Sequence, residues 1–226
     1  MQETFTFRTI ARIRSDFPEK FGIPRQSGIL KDLKSTIVLE SGFRNADALR
    51  GLEGFSHLWL LWIFSENIRS GFSPTVRPPR LGGNRRMGVF ATRSSFRPNP
   101  LALSVVKIEK IVPSPDGPII VVSGADLMDG TPIVDIKPYL PYADAISESR
   151  GGFTDKLRFT PLEVRFPEGE LEKIHPEKRE VLLKILSEDP RPAYQRDSDR
   201  VYGFRFADWN VKFTVAENVL QVTNVV

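Results

Sequence analysis

Cysteine is absent from the 226-residue chain, which excludes disulfides, thiolate nucleophiles, zinc–cysteine sites and iron–sulfur clusters. Histidine is nearly absent. His57 and His175 are far apart in the sequence and argue against a histidine-rich metal site or a Ser-His-Asp triad. Neither G-x-G-x-x-G after a strand nor G-x-x-x-x-G-K-[ST] occurs, so a Rossmann or P-loop nucleotide site has no support. No apolar run approaches the length that crosses a bilayer, and MQETFTFRTIARIRSDF lacks the apolar core of a signal peptide. The expectation is a cytoplasmic protein with no membrane and no metal.

Acidic residues are missing from one long stretch. Between Asn67 and Ile108 there is no Asp or Glu, while Arg69, Arg77, Arg80, Arg85, Arg86, Arg93, Arg97 and Lys107 all fall inside. The whole-chain balance of 32 Lys+Arg against 28 Asp+Glu conceals this local positive charge. It points to a polyanionic partner. Seven of the eight cations are arginines, which favours oriented, bidentate contacts with phosphate or carboxylate. Hydrophobic residues at 40% and charged residues at 27% otherwise describe an ordinary soluble protein, long enough for one good core or for a larger and a smaller domain.

The segment Met87 to Ile108, MGVFATRSSFRPNPLALSVVKI, has apolar, strand-like ends around a polar middle. Thr92 to Pro100 holds Pro98 and Pro100, which fix φ, and Arg93 and Arg97, which supply planar charged forks. Two strands gripping a stiff basic loop make a plausible anion or nucleotide cradle, although an ordinary surface loop reads the same way. Pro24-Arg25-Gln26 offers a fixed bend followed by two hydrogen-bonding side chains.

Strand patterns run over Phe5–Ile13, Thr36–Glu40, Phe55–Phe64, Leu101–Val112 and Pro118–Ala125, with a short helix from Asn45 to Leu52 capped by Asn45. Phe55–Phe64 is so continuously apolar that it predicts a strand buried on both faces, with Trp59 and Trp62 as core and His57 as a structural, hydrogen-bonded imidazole. Asp129-Gly130 is a strong turn pair inside a cluster with Asp126, Asp135 and Lys137. Ser147–Gly152 is polar and glycine-ended, which places a boundary near residue 148. Beyond it come a strand at Leu157–Phe166, a helical region from Glu170 to Ser187 interrupted at Pro176, and three alternating strands to the end. The pattern is a mostly β protein, residues 1–148, with a smaller C-terminal α/β domain, residues 149–226.

Gly88 to Pro100, read as GVFATRSSFRPNP, resembles the TsaA-like, or TrmO, methyltransferases. The similarity continues in family order through Lys20–Gln26, Gly54–Trp59, Arg77–Gly83, Asp129–Pro132 with Asp135–Tyr139, and Asp189–Tyr194, and so covers almost the whole chain. The resemblance implies a small β-barrel methyltransferase domain, a homodimer, S-adenosylmethionine as cofactor, and methylation of N6 of threonylcarbamoyladenosine at position 37 of tRNA. By motif match the family's cofactor contacts fall on Pro24, Arg25 and Gln26, on Ser65 and Glu66, on Arg93, near Leu103, and on Leu127, Met128, Asp129 and Gly130. Many members carry histidine where this chain has Ser65, and glycine where it has Ala102.

A sulfonium methyl is already activated, so its transfer needs alignment and neither metal nor covalent intermediate. The N6 proton of the acceptor needs a carboxylate or carbonyl nearby, for which Asp129 is the candidate. Arg97 suits the threonyl carboxylate, and Arg77, Arg80, Arg85 and Arg86 suit the phosphates of the anticodon stem-loop. Arg191 adds either a tRNA contact or a structural salt bridge. A non-catalytic, S-adenosylmethionine-sensing RNA-binding protein and a methyltransferase with another acceptor are the alternatives.

Overall fold

The computed structural model describes residues 3–68, 71–78, 85–156, 160–191 and 197–226. The chain divides into two units, one formed by Met1–Ser15, Gln26–Phe72 and Ser95–Tyr139, the other by Asp16–Arg25, Ser73–Ser94 and Leu140–Val226.

The first unit is mainly β. Strands β1 (Ala11–Arg14), β2 (Lys34–Leu39), β3 (His57–Ile63), β6 (Leu101–Val112), β7 (Ile119–Ser123) and β8 (Pro132–Pro138) close into a barrel in the order β1-β2-β7-β6-β3-β8, every pair antiparallel. Closure removes the free strand edges that would otherwise recruit other chains. Ile13, Ile37, Leu58, Leu60, Ile120, Val122 and Ile133 fill the interior at 0% exposure. Truncating any one of the leucines or isoleucines to alanine is expected to cost about 2–5 kcal/mol.

Three expectations for this unit need correction. β3 alternates strictly, with Leu58, Leu60 and Trp62 buried and His57, Trp59, Leu61 and Ile63 only partly so. The aromatic run is therefore one-sided, and its continuous hydrophobicity reflects an apolar outer face; Trp59 packs on Tyr139 at 5.8 Å between ring centroids. The strand begins only at Ala11 within the Phe5–Ile13 pattern and runs to Arg14, and Phe5 and Phe7 are exposed. Ile10 still bonds Ile133 and Glu40, but β2 has ended at Leu39, the chain turns away through Ser41–Phe43, and the strand pairing with β8 goes no further than Ala11 opposite Ile133, so residues 5–9 run without β2 beside them. The Asn45 cap is real, its side chain accepting from the Asp47 N–H, yet it starts a one-turn 3-10 helix, Ala46–Leu49, that stops before Gly51 at φ 87°.

The second unit holds the sheet β10 (Tyr202–Phe206), β11 (Trp209–Ala216) and β12 (Val219–Val225), antiparallel, with β9 (Glu163–Arg165) added parallel to β12. It also holds α1 (Pro141–Asp144), α2 (Pro176–Ser187) and the small ladder of β4 (Thr75–Val76) with β5 (Met87–Gly88). Pro176 does not interrupt α2; it begins it, because a first-turn residue has no N–H bond to lose. Val181, Leu182, Ile185 and Leu186 form the buried stripe of α2. β9 is shorter than the Leu157–Phe166 pattern, of which 157–159 lie outside the described residues.

The early segment Asp16–Arg25 belongs to this unit. Phe17 meets Phe206 at 5.8 Å and Phe21 meets Phe204 at 6.3 Å. The Ala207 N–H donates to the Asp16 carbonyl, the Arg205 N–H donates to Glu19 Oε1, and Lys178 pairs with Asp16.

Candidate functional site

In the barrel unit the turn between β7 and β8 carries Leu127, Met128, Asp129 and Gly130. Three side chains hold its carbonyls: Ser15 Oγ donates to Leu127 at 2.9 Å, Thr131 Oγ1 to Met128 at 2.7 Å, and Arg12 Nη1 to Gly130 at 2.9 Å. The Gly130 N–H donates to the Ile13 carbonyl, and φ of 76° at Gly130 makes glycine the residue the turn needs. Asp129 faces β1. Its Oδ1 accepts from the Ser15 N–H at 3.0 Å and its Oδ2 pairs with Arg14 Nη1 at 3.4 Å. Both oxygens of the expected proton acceptor therefore serve the turn.

A second carboxylate, Asp126, precedes that turn and is reached from inside the barrel. Trp62 Nε1 donates to Ser104 Oγ at 2.9 Å, and Ser104 donates to Asp126 Oδ1 at 2.5 Å. Trp62 and Ser104 are buried, and a buried polar pair persists only where every donor finds an acceptor. Sequence reading missed this relay, since Ser104 looks like any small residue in an apolar strand. Its one signal was a polar residue at an inward position of β6.

The middle of β6 gathers further expected residues. Leu103 faces outward, opposite Leu61, while the next N–H but one, that of Val105, donates to Ser27 Oγ beside Gln26. At the end of β3, Ser65 and Glu66 lie in a 3-10 turn, Ser65–Asn67. That turn holds the basic loop: Asn67 Nδ2 donates to Ser95 Oγ at 2.8 Å, and the Phe64 N–H to the Pro100 carbonyl at 2.9 Å. Arg97 is half-buried in the same loop. The structure thus brings Gln26, Leu103 and the Asp126–Gly130 segment around β6, and Ser65, Glu66 and Arg97 to the β3 end.

In the second unit Pro24 is half-buried and Arg25 is exposed. Arg25 Nη2 donates to the carbonyls of Asp189 and Arg191 at 3.2 and 3.3 Å. Arg191 is bidentate to Asp189, at 2.8 Å from Nε to Oδ1 and 3.0 Å from Nη2 to Oδ2, with its side chain 12% exposed. The hydrogen bond to Asp189 holds the Arg191 guanidinium above its ordinary pKa, against the opposing pull of burial. The salt-bridge alternative for Arg191 is thus present. Arg77, Arg85, Arg86 and Arg93 are exposed, Arg86 Nη1 reaching Thr75 Oγ1 at 3.3 Å, and Arg80 lies outside the described residues. His57 is bonded through Nδ1 to Ser56 Oγ at 2.9 Å, the structural role expected.

Among the described residues no cluster of His, Cys, Asp and Glu has the form of a metal site, and no helix is long and apolar enough to cross a membrane. A closed antiparallel barrel with a pinned turn, in a chain that also carries an acid-free arginine segment, defines a class: a β-barrel protein with a basic segment suited to a polyanion, outside the parallel-sheet nucleotide folds.

Comparison with known proteins narrows the class. The domain described as tRNA-methyltransferase O N-terminal domain matches residues 12–145, and the TrmO C-terminal domain matches residues 159–226. The chain is 42% identical over 227 residues to the tRNA (adenine(37)-N6)-methyltransferase of Escherichia coli (strain K12), covering 97% of each. It is 46% identical over 166 residues to the protein of the same name from Eikenella corrodens, covering 73% of this chain and 93% of that one. A crystal structure of TrmO from Pseudomonas aeruginosa superposes with a TM-score of 0.79 at 34% identity, covering 100% of this chain and 98% of the other. The chain belongs to the TrmO family of tRNA methyltransferases.

Proposed function

We propose that the protein transfers the methyl group of S-adenosylmethionine to N6 of threonylcarbamoyladenosine at position 37 of tRNA. The observation that carries this reading is the relationship to the Escherichia coli tRNA (adenine(37)-N6)-methyltransferase over 97% of both chains. The threonylcarbamoyl form of the acceptor rests on the family resemblance of the GVFATRSSFRPNP and DGTP segments.

S-adenosylmethionine supplies an activated methyl on a sulfonium, so the protein's task is alignment. The cofactor fits a turn whose carbonyls are already bound by Arg12, Ser15 and Thr131, because such a turn loses little further entropy on binding. In the barrel unit Gln26, Ser65, Glu66, Leu103 and Leu127–Gly130 hold the cofactor; Pro24, Arg25 and Arg93 are the family positions of the second unit. Asp129 positions the turn through Ser15 and Arg14. Arg97, presented by the loop that Asn67 pins, donates to the threonyl carboxylate as a planar fork. Arg77, Arg80, Arg85 and Arg86 take anticodon stem-loop phosphates, and Arg191 supports them through its own loop. The protein acts as a homodimer in the cytoplasm, its folding domains being residues 1–148 and 149–226.

Nucleosides from a strain lacking the gene test the acceptor. Loss of N6-methylated threonylcarbamoyladenosine with its unmethylated precursor retained supports the proposal. An unchanged nucleoside profile sinks it.

A further inference from the structure

We propose that Phe90 is a stacking platform for an unpaired base of the RNA partner, an inference that rests on tRNA being the substrate. Phe90 is 75% exposed, the most open phenylalanine among the described residues. A lone exposed ring means little by itself. Its setting is what matters.

The backbone beneath the ring is fixed. Phe90 lies in the 3-10 turn Val89–Ala91, directly after the β4–β5 ladder in which Thr75 pairs with Gly88 and Val76 with Met87. The Val89 N–H donates to the Pro74 carbonyl at 3.0 Å. The Val89 carbonyl in turn accepts from the Thr92 N–H at 3.1 Å and from Thr92 Oγ1 at 2.9 Å. Val89 is 1% exposed, so it anchors the turn while its neighbour is held out in water. The ring is thus presented on ordered backbone, and a base that stacks on it orders little else.

The chemistry around the turn selects the partner. Arg85, Arg86 and Arg93 are exposed on either side of it in sequence, and no carboxylate side chain occurs anywhere from Asn67 to Ile108. An aromatic face among arginines without acids suits a polyanion that carries planar apolar groups. Single-stranded RNA loops answer that description, with splayed bases for the ring and phosphates for the guanidiniums. An apolar patch on a second copy of this chain would have no use for the arginines.

The test is fluorescence anisotropy of a labelled anticodon stem-loop with full-length wild type, Phe90→Ala, Phe90→Tyr and Phe90→Trp. Phe90→Ala is expected to weaken binding about 10-fold, and Phe90→Tyr to bind within about twofold of wild type, as base–aromatic stacking predicts. Calorimetry should give unchanged S-adenosylmethionine affinity for all variants. Phe90→Trp should show indole quenching on RNA addition in excess of that from Trp59, Trp62 and Trp209 in the wild type. Equal RNA affinity of Phe90→Ala and wild type overturns the proposal. Loss of RNA affinity together with an altered sedimentation coefficient also overturns it, in favour of a contact between copies. A wild type that binds no RNA overturns both this inference and the tRNA reading beneath it.

Discussion

The Ser104 hydroxyl donates to Asp126 Oδ1 across 2.5 Å while accepting from Trp62 Nε1 at 2.9 Å. An indole N–H only donates, so the single serine proton is committed to the carboxylate and the direction of the relay is fixed. The barrel core thereby orients the carboxylate that introduces the Leu127–Gly130 turn. Ser104→Ala would strip the acceptor from a buried indole and one donor from Asp126. A loss of about 1–3 kcal/mol is expected in urea unfolding. An unchanged midpoint would contradict that role for Ser104.

Asp129 is where holding the turn and taking a proton can be told apart by experiment. Its Oδ1 caps the Ser15 N–H and its Oδ2 meets an Arg14 side chain that is 63% exposed. Asp129→Asn retains an oxygen for Ser15 and loses only a solvent-screened pair, so turnover is expected within about tenfold of wild type. A general base contributes about 10²–10⁴-fold. A fall of that size in kcat, with S-adenosylmethionine affinity intact, would make Asp129 the proton acceptor after all.

Gly22 is required by geometry as well as by its φ of 88°. A Cβ there would stand 2.8 Å from Cε2 of Phe204, a ring that is 1% exposed and cannot swing away. Gly22→Ala is expected to destabilise the protein by about 3 kcal/mol, overpacking and left-handed strain together. Calorimetric unfolding checks it; a shift of less than about 1 °C would mean that the Asp16–Arg25 segment gives way freely.

Glu170 contributes to acid stability. Glu170 accepts from Lys173 Nζ and from the Val225 N–H, each at 2.6 Å, and these bonds, that of Lys173 first, hold its carboxyl below the ordinary 4.5. A depressed folded-state pKa stabilises the protein above the unfolded value and loses that stability as pH falls through the folded one. Glu170→Gln should therefore lower stability at pH 7 and flatten its decline below about pH 4.5. Parallel curves for variant and wild type across that range would contradict this.

The barrel was legible where strands alternate or run long: Leu101–Val112 is β6 to the residue, and the three closing strands of the C-terminal sheet follow their period. β3 misled because hydrophobicity cannot tell an inner face from an apolar outer one. Phe5–Thr9 misled because local pattern is blind to where a neighbouring strand stops, here β2 at Leu39. Motif similarity located the Leu127–Gly130 turn and the basic loop. It did not reveal that Arg25 binds the carbonyls of Asp189 and Arg191, partners more than 160 positions away, nor that Ser104 is the hinge of a buried polar relay.

The most direct test is methyl transfer from labelled S-adenosylmethionine to two tRNA preparations, one carrying threonylcarbamoyladenosine at position 37 and one carrying unmodified adenosine. Label in the first alone is the predicted result. Label in both would discard the proposed acceptor, and label in neither, with cofactor binding intact, would leave an S-adenosylmethionine-sensing RNA-binding protein.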